Sequence, residues 1–303
     1  MSTTPETLSP GTSVPGEVRL RNTGWSSRKN LVSTLVGGAL PLTVATVIVA
    51  LPLLWMILSS FKSVHEIVTL HPTLLPQSWK FSNYSEAMRN VPFGRIFLNS
   101  VMLTTVGSSI KVVLALLTAY ALVFVRFPFK NVIFVMVLVA LMVPSQVSIL
   151  PNYVLIASMG GENTYWGILL PGLGTAFGTF LLRQHFKTLP ASMLEAAEVD
   201  GAGHWRRLWR IVVPVSGPSI ATVALVTIVS EWNEYIWPLI ITTDPNKMTL
   251  PVGLTLLASN ESGPQGWGVM MAGSVLVILP VLVIFAMLQR YIVAGLTQGS
   301  LSN

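Results

Sequence analysis

The chain has no cysteine among its 303 residues, so no disulfide and no thiol chemistry enters any account of it. It is also short of charge. Asp, Glu, Lys and Arg make up 10% of the residues, against about 25% in an ordinary soluble domain. With 52% hydrophobic residues, such a chain cannot clothe a water-facing surface and is expected in a bilayer. The nucleotide-cradling run Gly-x-x-x-x-Gly-Lys-Ser/Thr is absent, as are His-Glu-x-x-His and Gly-x-Ser-x-Gly, so no ATPase, zinc peptidase or serine hydrolase is written here. The four histidines, His65, His71, His185 and His204, fall in or beside expected loops, with no clustered carboxylates next to them. They read as surface residues, and no metal site follows from them.

What the sequence does contain is apolar runs of membrane length. About 20 helical residues cross the roughly 30 Å hydrocarbon layer. Six stretches suffice: Leu31–Ser59, Phe97–Val125, Val132–Leu150, Tyr165–Leu182, Pro214–Ile240 and Trp267–Tyr291. The expected fold class is all-α, a polytopic membrane protein of six transmembrane helices. Pro144, Pro151, Pro171, Pro214, Pro218, Pro238 and Pro280 lie within or beside these runs. A broken helix is tolerated in lipid where neighbours or a water-filled cavity satisfy the freed carbonyls, so bent helices around a pathway are expected.

Cytoplasmic loops retain positive charge, which sets the orientation. With the N-terminus inside, twelve of the 18 Lys and Arg fall on the cytoplasmic side; Lys62, Lys80, Arg89, Arg95 and Lys247 fall outside, and Lys111 lies within a span. Both termini are thus expected inside a cell membrane. The net charge of +6 then reports topology, with a contribution from anionic headgroups, and no nucleic-acid partner is expected. Residues 1–27 read as a disordered cytoplasmic tail; they do not read as a secretory signal, because the apolar run that follows is too long for a signal core. Residues 28–96 hold the first span and the outer loop, 97–292 the five-helix core, and 293–303 a second cytoplasmic tail. In the outer loop, Tyr84–Asn90 suits a short interfacial helix with Tyr84, Ala87 and Met88 on one side; Asn83-Tyr84, Phe93 and Asn99-Ser100 also resemble the entry to the transmembrane core of carbohydrate-type importer permeases, and that resemblance implies part of a surface that receives a solute-binding protein.

One polar connection carries a pattern of its own. Glu195-Ala196-Ala197-Glu198-Val199-Asp200-Gly201 is followed nine residues later by Ile211-Val212-Val213-Pro214, between two membrane-length runs. Pro190 suits the first turn of a helix, Ala196 and Ala197 keep one face low, and Gly201 suits a left-handed ending. This stretch resembles the EAA loop of ATP-driven importers, spanning residues 188–214, with Val213 where the pattern has Leu. Further strings agree: Arg126-Phe127-Pro128, Met142-Val143-Pro144, Phe180-Leu181-Leu182-Arg183-Gln184, Trp232-Asn233-Glu234-Tyr235-Ile236-Trp237-Pro238 and Leu250-Pro251-Val252-Gly253. Together they resemble the maltose-permease G-like family, the second permease subunit of carbohydrate-type importers. Overall likeness leans toward the glycerol-3-phosphate and glycerophosphodiester uptake systems, and maltose- or trehalose-type sugar import is the alternative.

The resemblance implies a permease subunit and not an enzyme. Its partners would be a different permease chain, two ATPase subunits that use ATP and Mg, and an extracytoplasmic solute-binding protein, with membrane lipid around them; this chain would bind no cofactor. Coupling to the ATPase would fall to Glu195, Ala196, Ala197, Asp200, Gly201, Ala202, Ile211 and Pro214. Polar residues within the spans suggest the solute pathway: Lys111, Glu231, Trp232, Asn233, Glu234, Tyr235 and Trp237. Lys111 lies near the middle of its run, where a charge must face a cavity or a partner. It either attracts an anionic solute or pairs with an acid on another helix, for which Glu231 is the candidate. Glu231 and Glu234 are three apart and share a helical face, so two shielded carboxylates there would repel. The aromatic string could stack on a sugar ring or suit a cationic headgroup, but ordinary membrane-interface belts are built of the same aromatics and are the more common case. An ion-coupled secondary transporter would use Lys111 and Glu231 differently, but it predicts an internal repeat that the sequence lacks and leaves the EAA spacing without a purpose.

Overall fold

In a hydrocarbon setting every backbone N–H and C=O must be satisfied within its own segment, which favours helices over open strands. The computed structural model describes residues 38–260 and 266–298, and among them there are helices and turns but no strand. The tail 1–27, Leu31 to Gly37 of the first run and residues 299–303 lie outside the described residues.

Packing divides the chain after Leu54. In the first unit the helix α1 (Leu40–Ser59) begins, and Leu42, Ile48 and Val49 are 65–73% exposed, an apolar surface suited to lipid. The second unit, Trp55–Asn303, holds α2 (Ser82–Asn90), α3 (Phe93–Phe124), α4 (Lys130–Met142), α5 (Ile149–Ser158), α6 (Tyr165–Leu169), α7 (Ala176–Phe186), α8 (Ala191–Val199), α9 (Gly217–Trp232), α10 (Ile236–Ile241), α11 (Leu250–Asn260) and α12 (Trp267–Gln298). The helix α1, α3 and the Trp267–Met287 part of α12 are each long and apolar enough to cross a membrane. Three bent pairs would make up to six spans if each is one span: Lys130–Met142 with Ser145–Ser158 at 94°, Tyr165–Leu173 with Ala176–Phe186 at 45°, and His204–Val215 with Gly217–Ile241 at 84°. The expected third run, Val132–Leu150, is therefore not one straight helix; Pro144 removes an N–H at its middle and the chain turns there. The last helix also continues past the expected Tyr291 to Gln298.

The 32-residue α3 is the axis of the second unit, about 48 Å long at 1.5 Å per residue. It packs against α7, α9 and α11, while α12 packs against α2, α9 and α11. One core gathers Ala87, Val91, Ile96, Trp232, Leu250, Val252 and Val269. A second, further along α3, gathers Ala115, Leu116, Ala119, Tyr120, Leu182, Phe186, Leu194, Leu208, Val212 and Val223. Hydroxyls inside the helices are satisfied by the carbonyl one turn back, as in Thr179 to Thr175 (2.7 Å) and Thr227 to Val223 (2.8 Å).

Two asparagines tie loops to helices. Asn99 of α3 donates to the Asn246 and Met248 carbonyls (2.9 and 3.0 Å) and accepts from the Tyr165 hydroxyl (2.8 Å). Asn163 accepts from the Thr243 and Asp244 amides (2.7 and 2.9 Å). The expected interfacial helix is present as α2, with Tyr84 and Ala87 turned inward but Met88 50% exposed, so the three do not share a buried face. Between α1 and α2, buried Lys62 lies 4.3 Å from the Trp55 ring centroid and donates to the Thr73 carbonyl.

In the same connection the Glu66 carboxylate accepts from the Gln77 amide (2.7 Å), the Ser63 hydroxyl (2.8 Å) and the Ser78 hydroxyl (3.1 Å). The backbone donor chiefly, with the hydroxyls, lowers its pKa from 4.5 to about 2. A carboxylate depressed in the folded state stabilises above its unfolded pKa, and that contribution is lost as pH falls through the folded value. Protection of the Gln77 amide from hydrogen exchange, corrected for intrinsic rate, should be constant at neutral pH and decline as pH drops from 4.5 to about 2. Glu66→Gln should lower it already at neutral pH; protection unchanged across that range would contradict the assignment.

Candidate functional site

A cavity of about 500 Å³ opens between α3, the break after α4, the turn Leu170–Leu173 and the segment joining α9 to α10. Six of the seven residues expected on the pathway line it: Lys111, Glu231, Asn233, Glu234, Tyr235 and Trp237. Trp232, the seventh, does not. It is 3% exposed, its indole N–H donates to the Val277 carbonyl (3.2 Å), and it meets Phe97 edge-on. The helix ends between Trp232 and Ile236, and this break directs neighbouring aromatic residues to opposite sides.

Lys111 of α3 and Glu231 of α9 form an ion pair in the cavity wall, their side chains 15% and 17% exposed. Glycine makes room for both. A Cβ at Gly107, one turn before Lys111, would stand 2.7 Å from Glu231 Oε2, and one at Gly172 would stand 3.3 Å from Lys111 Nζ. The chain thus approaches the pair closely from α3 itself and from the Leu170–Leu173 turn. Glu234 stands beyond the end of α9, is exposed, and faces the Trp237 amide at 3.5 Å. The two carboxylates therefore share the cavity without forming the shielded like-charge pair that their spacing allowed, since Glu231 is taken by Lys111.

Trp237 donates its indole N–H to the carbonyls of Gly167 and Ile168, each at 3.1 Å, which pins the cavity rim to α6. Asn233 donates back to Val229 (2.8 Å), and Tyr235 is 37% exposed. The lining also includes polar residues that sequence reading had not selected: Ser100, Thr104, Ser145, Gln146, Asn152 and Thr249. Ser145 and Gln146 follow Pro144 directly, so the proline break was the available signal for them. The cavity thus holds one cation, two carboxylates, several hydroxyls and amides, and two aromatic rings. It has the parts to hydrogen-bond a hydroxyl-rich molecule.

The second expected feature, the Glu195 helix, is α8. Gly201 has φ +74°, with the Gly201 amide donating to Glu198 (3.0 Å) and the Ala202 amide to Ala197 (2.9 Å). This pair of bonds is the Schellman ending, and Gly201 is the residue that adopts its left-handed position without a Cβ penalty. Glu195, Ala196, Asp200 and Pro214 are exposed, and Ala202 and Ile211 are half-buried. Ala197 is 7% exposed and packs inward with Leu194, so the expected Ala196-Ala197 face is divided; Ala196 alone stays on the open side.

Beyond the helix, Glu198 accepts from Arg207 (2.9 Å), and the His204 Nδ1 lies 3.2 Å from the Tyr120 hydroxyl of α3. His204 is thus partnered, and His185 lies inside α7, half-buried, with a buried Nε2 that has no hydrogen-bond partner. His204 is exposed, as expected of a surface residue, while His185 departs from that expectation because the helix boundary falls after it.

Residues 111–298 match the family described as the binding-protein-dependent transport system inner membrane component. Among relatives, the sn-glycerol-3-phosphate transport system permease protein UgpE of Yersinia pestis is 36% identical over 233 residues, covering 75% of this chain and 83% of that one. The protein of the same name from Agrobacterium fabrum is 34% identical over 266 residues, covering 86% and 94%. The diacetylchitobiose uptake system permease protein NgcG of Streptomyces coelicolor is also 34% identical, over 257 residues and 84% and 85% of the two chains. The fold matches a chain in the crystal structure of a bacterial ABC transporter that imports the acidic polysaccharide alginate, with a TM-score of 0.75 at 24% identity, over 87% of this chain and 98% of that one. The chain therefore belongs to the family of inner membrane components of binding-protein-dependent transport systems: it is a multi-pass membrane permease subunit of an ATP-driven importer, not an enzyme, and ATP hydrolysis resides in a separate ATPase.

Proposed function

We propose that this chain forms half of the translocation pathway of its importer, with six spans, both termini in the cytoplasm and a different permease chain supplying the other half. The cavity lined by Lys111, Glu231, Asn233, Glu234, Tyr235 and Trp237 is the observation that carries this reading. Solute arrives from an extracytoplasmic binding protein, and a pair of ATPase subunits, using ATP and Mg, engages α8 through Glu195, Ala196, Asp200 and the Gly201 turn. Ala197, Ala202 and Ile211 serve that engagement from behind, holding the helix to the bundle, and Pro214, exposed, ends the connection.

For the solute, the UgpE relatives support sn-glycerol-3-phosphate or a glycerophosphodiester. A second reading, a neutral sugar of the kind named for the Streptomyces coelicolor relative, is favoured by one observation in the cavity: the charge of Lys111 is already matched by Glu231, and Glu234 leaves the lining with a net negative charge. In the phosphate reading, positive charge must come from the second permease chain, or Lys111 must exchange Glu231 for the phosphate. Uptake by the reconstituted complex that is competed by sn-glycerol-3-phosphate and not by diacetylchitobiose supports the first reading; the converse supports the second.

The docking role is tested at the two ends of α8. Glu195→Ala and Gly201→Asp should abolish solute-stimulated ATP hydrolysis while the complex still assembles. At Gly201 there is open space for a Cβ, so the cost is backbone strain of about 1 kcal/mol and not a clash. Full coupling in an assembled double variant removes α8 from that role.

The ion pair generates a third expectation. Lys111→Gln strands a largely buried carboxylate and should cost about 3–5 kcal/mol, seen as a lower yield of assembled complex. Lys111→Gln combined with Glu231→Gln removes both charges and should restore most of that yield. A double variant no better assembled than the single one shows that the two charges do not depend on each other.

A further inference from the structure

Three cations cluster at one end of the contact between α4 and α7, and among the described residues none has a carboxylate partner. Lys130 opens α4, Arg183 stands in the last turn of α7, and Lys187 follows one turn later. Both ion pairs among the described residues lie elsewhere, at Lys111–Glu231 and Glu198–Arg207.

The cluster is built into the helix packing. Phe134, one turn beyond Lys130 on the same face of α4, stacks on Phe180 of α7 with centroids 6.4 Å apart and planes at 12°. The Arg183 guanidinium lies 3.5 Å from the Phe134 ring centroid. Arg183 is only 7% exposed, and its buried Nε has no hydrogen-bond acceptor. Lys130 Nζ donates to the carbonyls of Val123 and Val125 (2.8 and 3.1 Å), which fixes it beside the end of α3 and leaves its third N–H for another acceptor. The charges of Arg183 and Lys187 both act on Lys130, so the three share one electrostatic environment.

Like charges held together beside a hydrocarbon surface are costly without an anion between them. The surface next to the cluster says what kind of anion. From Lys130 onward α4 turns Val132, Val135, Met136 and Val139 outward at 54–63% exposure, an apolar strip that suits acyl chains. Phe129, 76% exposed at the head of α4, adds an aromatic ring where the strip begins. Cation, then aromatic ring, then apolar strip is the order in which a phospholipid presents its phosphate, its glycerol region and its tails.

We propose that Lys130, Arg183 and Lys187 form a binding site for the phosphate of an anionic phospholipid, whose chains lie along the outward strip of α4. The inference is independent of the solute and of the docking role of α8. The third N–H of Lys130 is left for an acceptor outside the protein, Arg183 adds its charge from its stack on Phe134, and Lys187, exposed, supplies charge from the water side. The site sits at the base of the Thr188–Pro190 connection into α8, so a bound headgroup steadies the point from which that helix projects.

Native mass spectrometry of the full chain tests this, after release from bilayers with equal parts phosphatidylglycerol and phosphatidylcholine of identical acyl chains. Phosphatidylglycerol should be retained in preference, and Lys187→Gln and Arg183→Gln should each reduce its retention about fivefold, the effect of one surface cation on an anionic lipid. Lys187 is exposed, so its variant reports on the site even where Arg183→Gln folds poorly. Equal retention of the two lipids, unchanged retention in Lys187→Gln, or displacement of the lipid by millimolar inorganic phosphate would each overturn the proposal, the last by assigning the cluster to free phosphate.

Discussion

The ion pair between Lys111 and Glu231 joins α3 to α9 with both side chains largely buried, and a charge so placed is costly without its partner. Its geometry constrains the elements around it. Gly107 lets the α9 carboxylate reach α3, Gly172 brings the Leu170–Leu173 turn against the ammonium, and the α9 helix stops one residue after Glu231, where the chain opens into the cavity rim. A neutral pair of similar volume would hold the helices together as well. What the charged pair adds is a wall that is polar toward the cavity and fully matched toward the protein, which suits a pathway that must be wet yet must not trap its own solute.

The same α3 connects this cavity to α8. Its later turns carry Ala115, Leu116, Ala119 and Tyr120, against which Leu194 of α8 packs together with Leu208 and Val212. Glu198 with Arg207, and His204 with Tyr120, add polar ties between the segment after α8 and the same end of α3. A push on α8 is thus delivered into a close-packed core, and such a core moves as a body instead of deforming. In the proposed function this is how movement of an ATPase reaches Lys111 and Glu231.

Sequence reading located the parts that depend on local chemistry. Apolar runs marked the helices, the spacing around Glu195 marked α8, and Gly201 was legible because a left-handed residue after a helix favours glycine. Lys111 had to face a cavity or a partner on physical grounds, Glu231 was the candidate acid, and the structure gives it both. What escaped was decided by tertiary packing. Pro144 announced a break but not a turn of 94°. Trp232 and Trp237 are alike in sequence, yet one is buried against Val277 and the other lines the cavity, because the chain breaks between them. Ala197 faced inward for want of any signal beyond the helical period, and Asn99, whose side chain holds the Asn246 and Met248 carbonyls, pairs across 147 and 149 residues of sequence.

The absence of cysteine makes the central claim, that the cavity is a solute pathway and α8 a cytoplasmic docking helix, directly measurable. Single cysteines placed at Asn233 and at Glu195 in the assembled importer can be labelled with a membrane-impermeant thiol reagent from either side of a sealed vesicle. The account predicts that Asn233→Cys is labelled from the outer side in the ATP-bound state and protected by transported solute, and that Glu195→Cys is labelled only from the cytoplasmic side and protected when the ATPase is bound. Labelling of both positions from the same side, or labelling of Asn233→Cys that is indifferent to ATP and to solute, would contradict it.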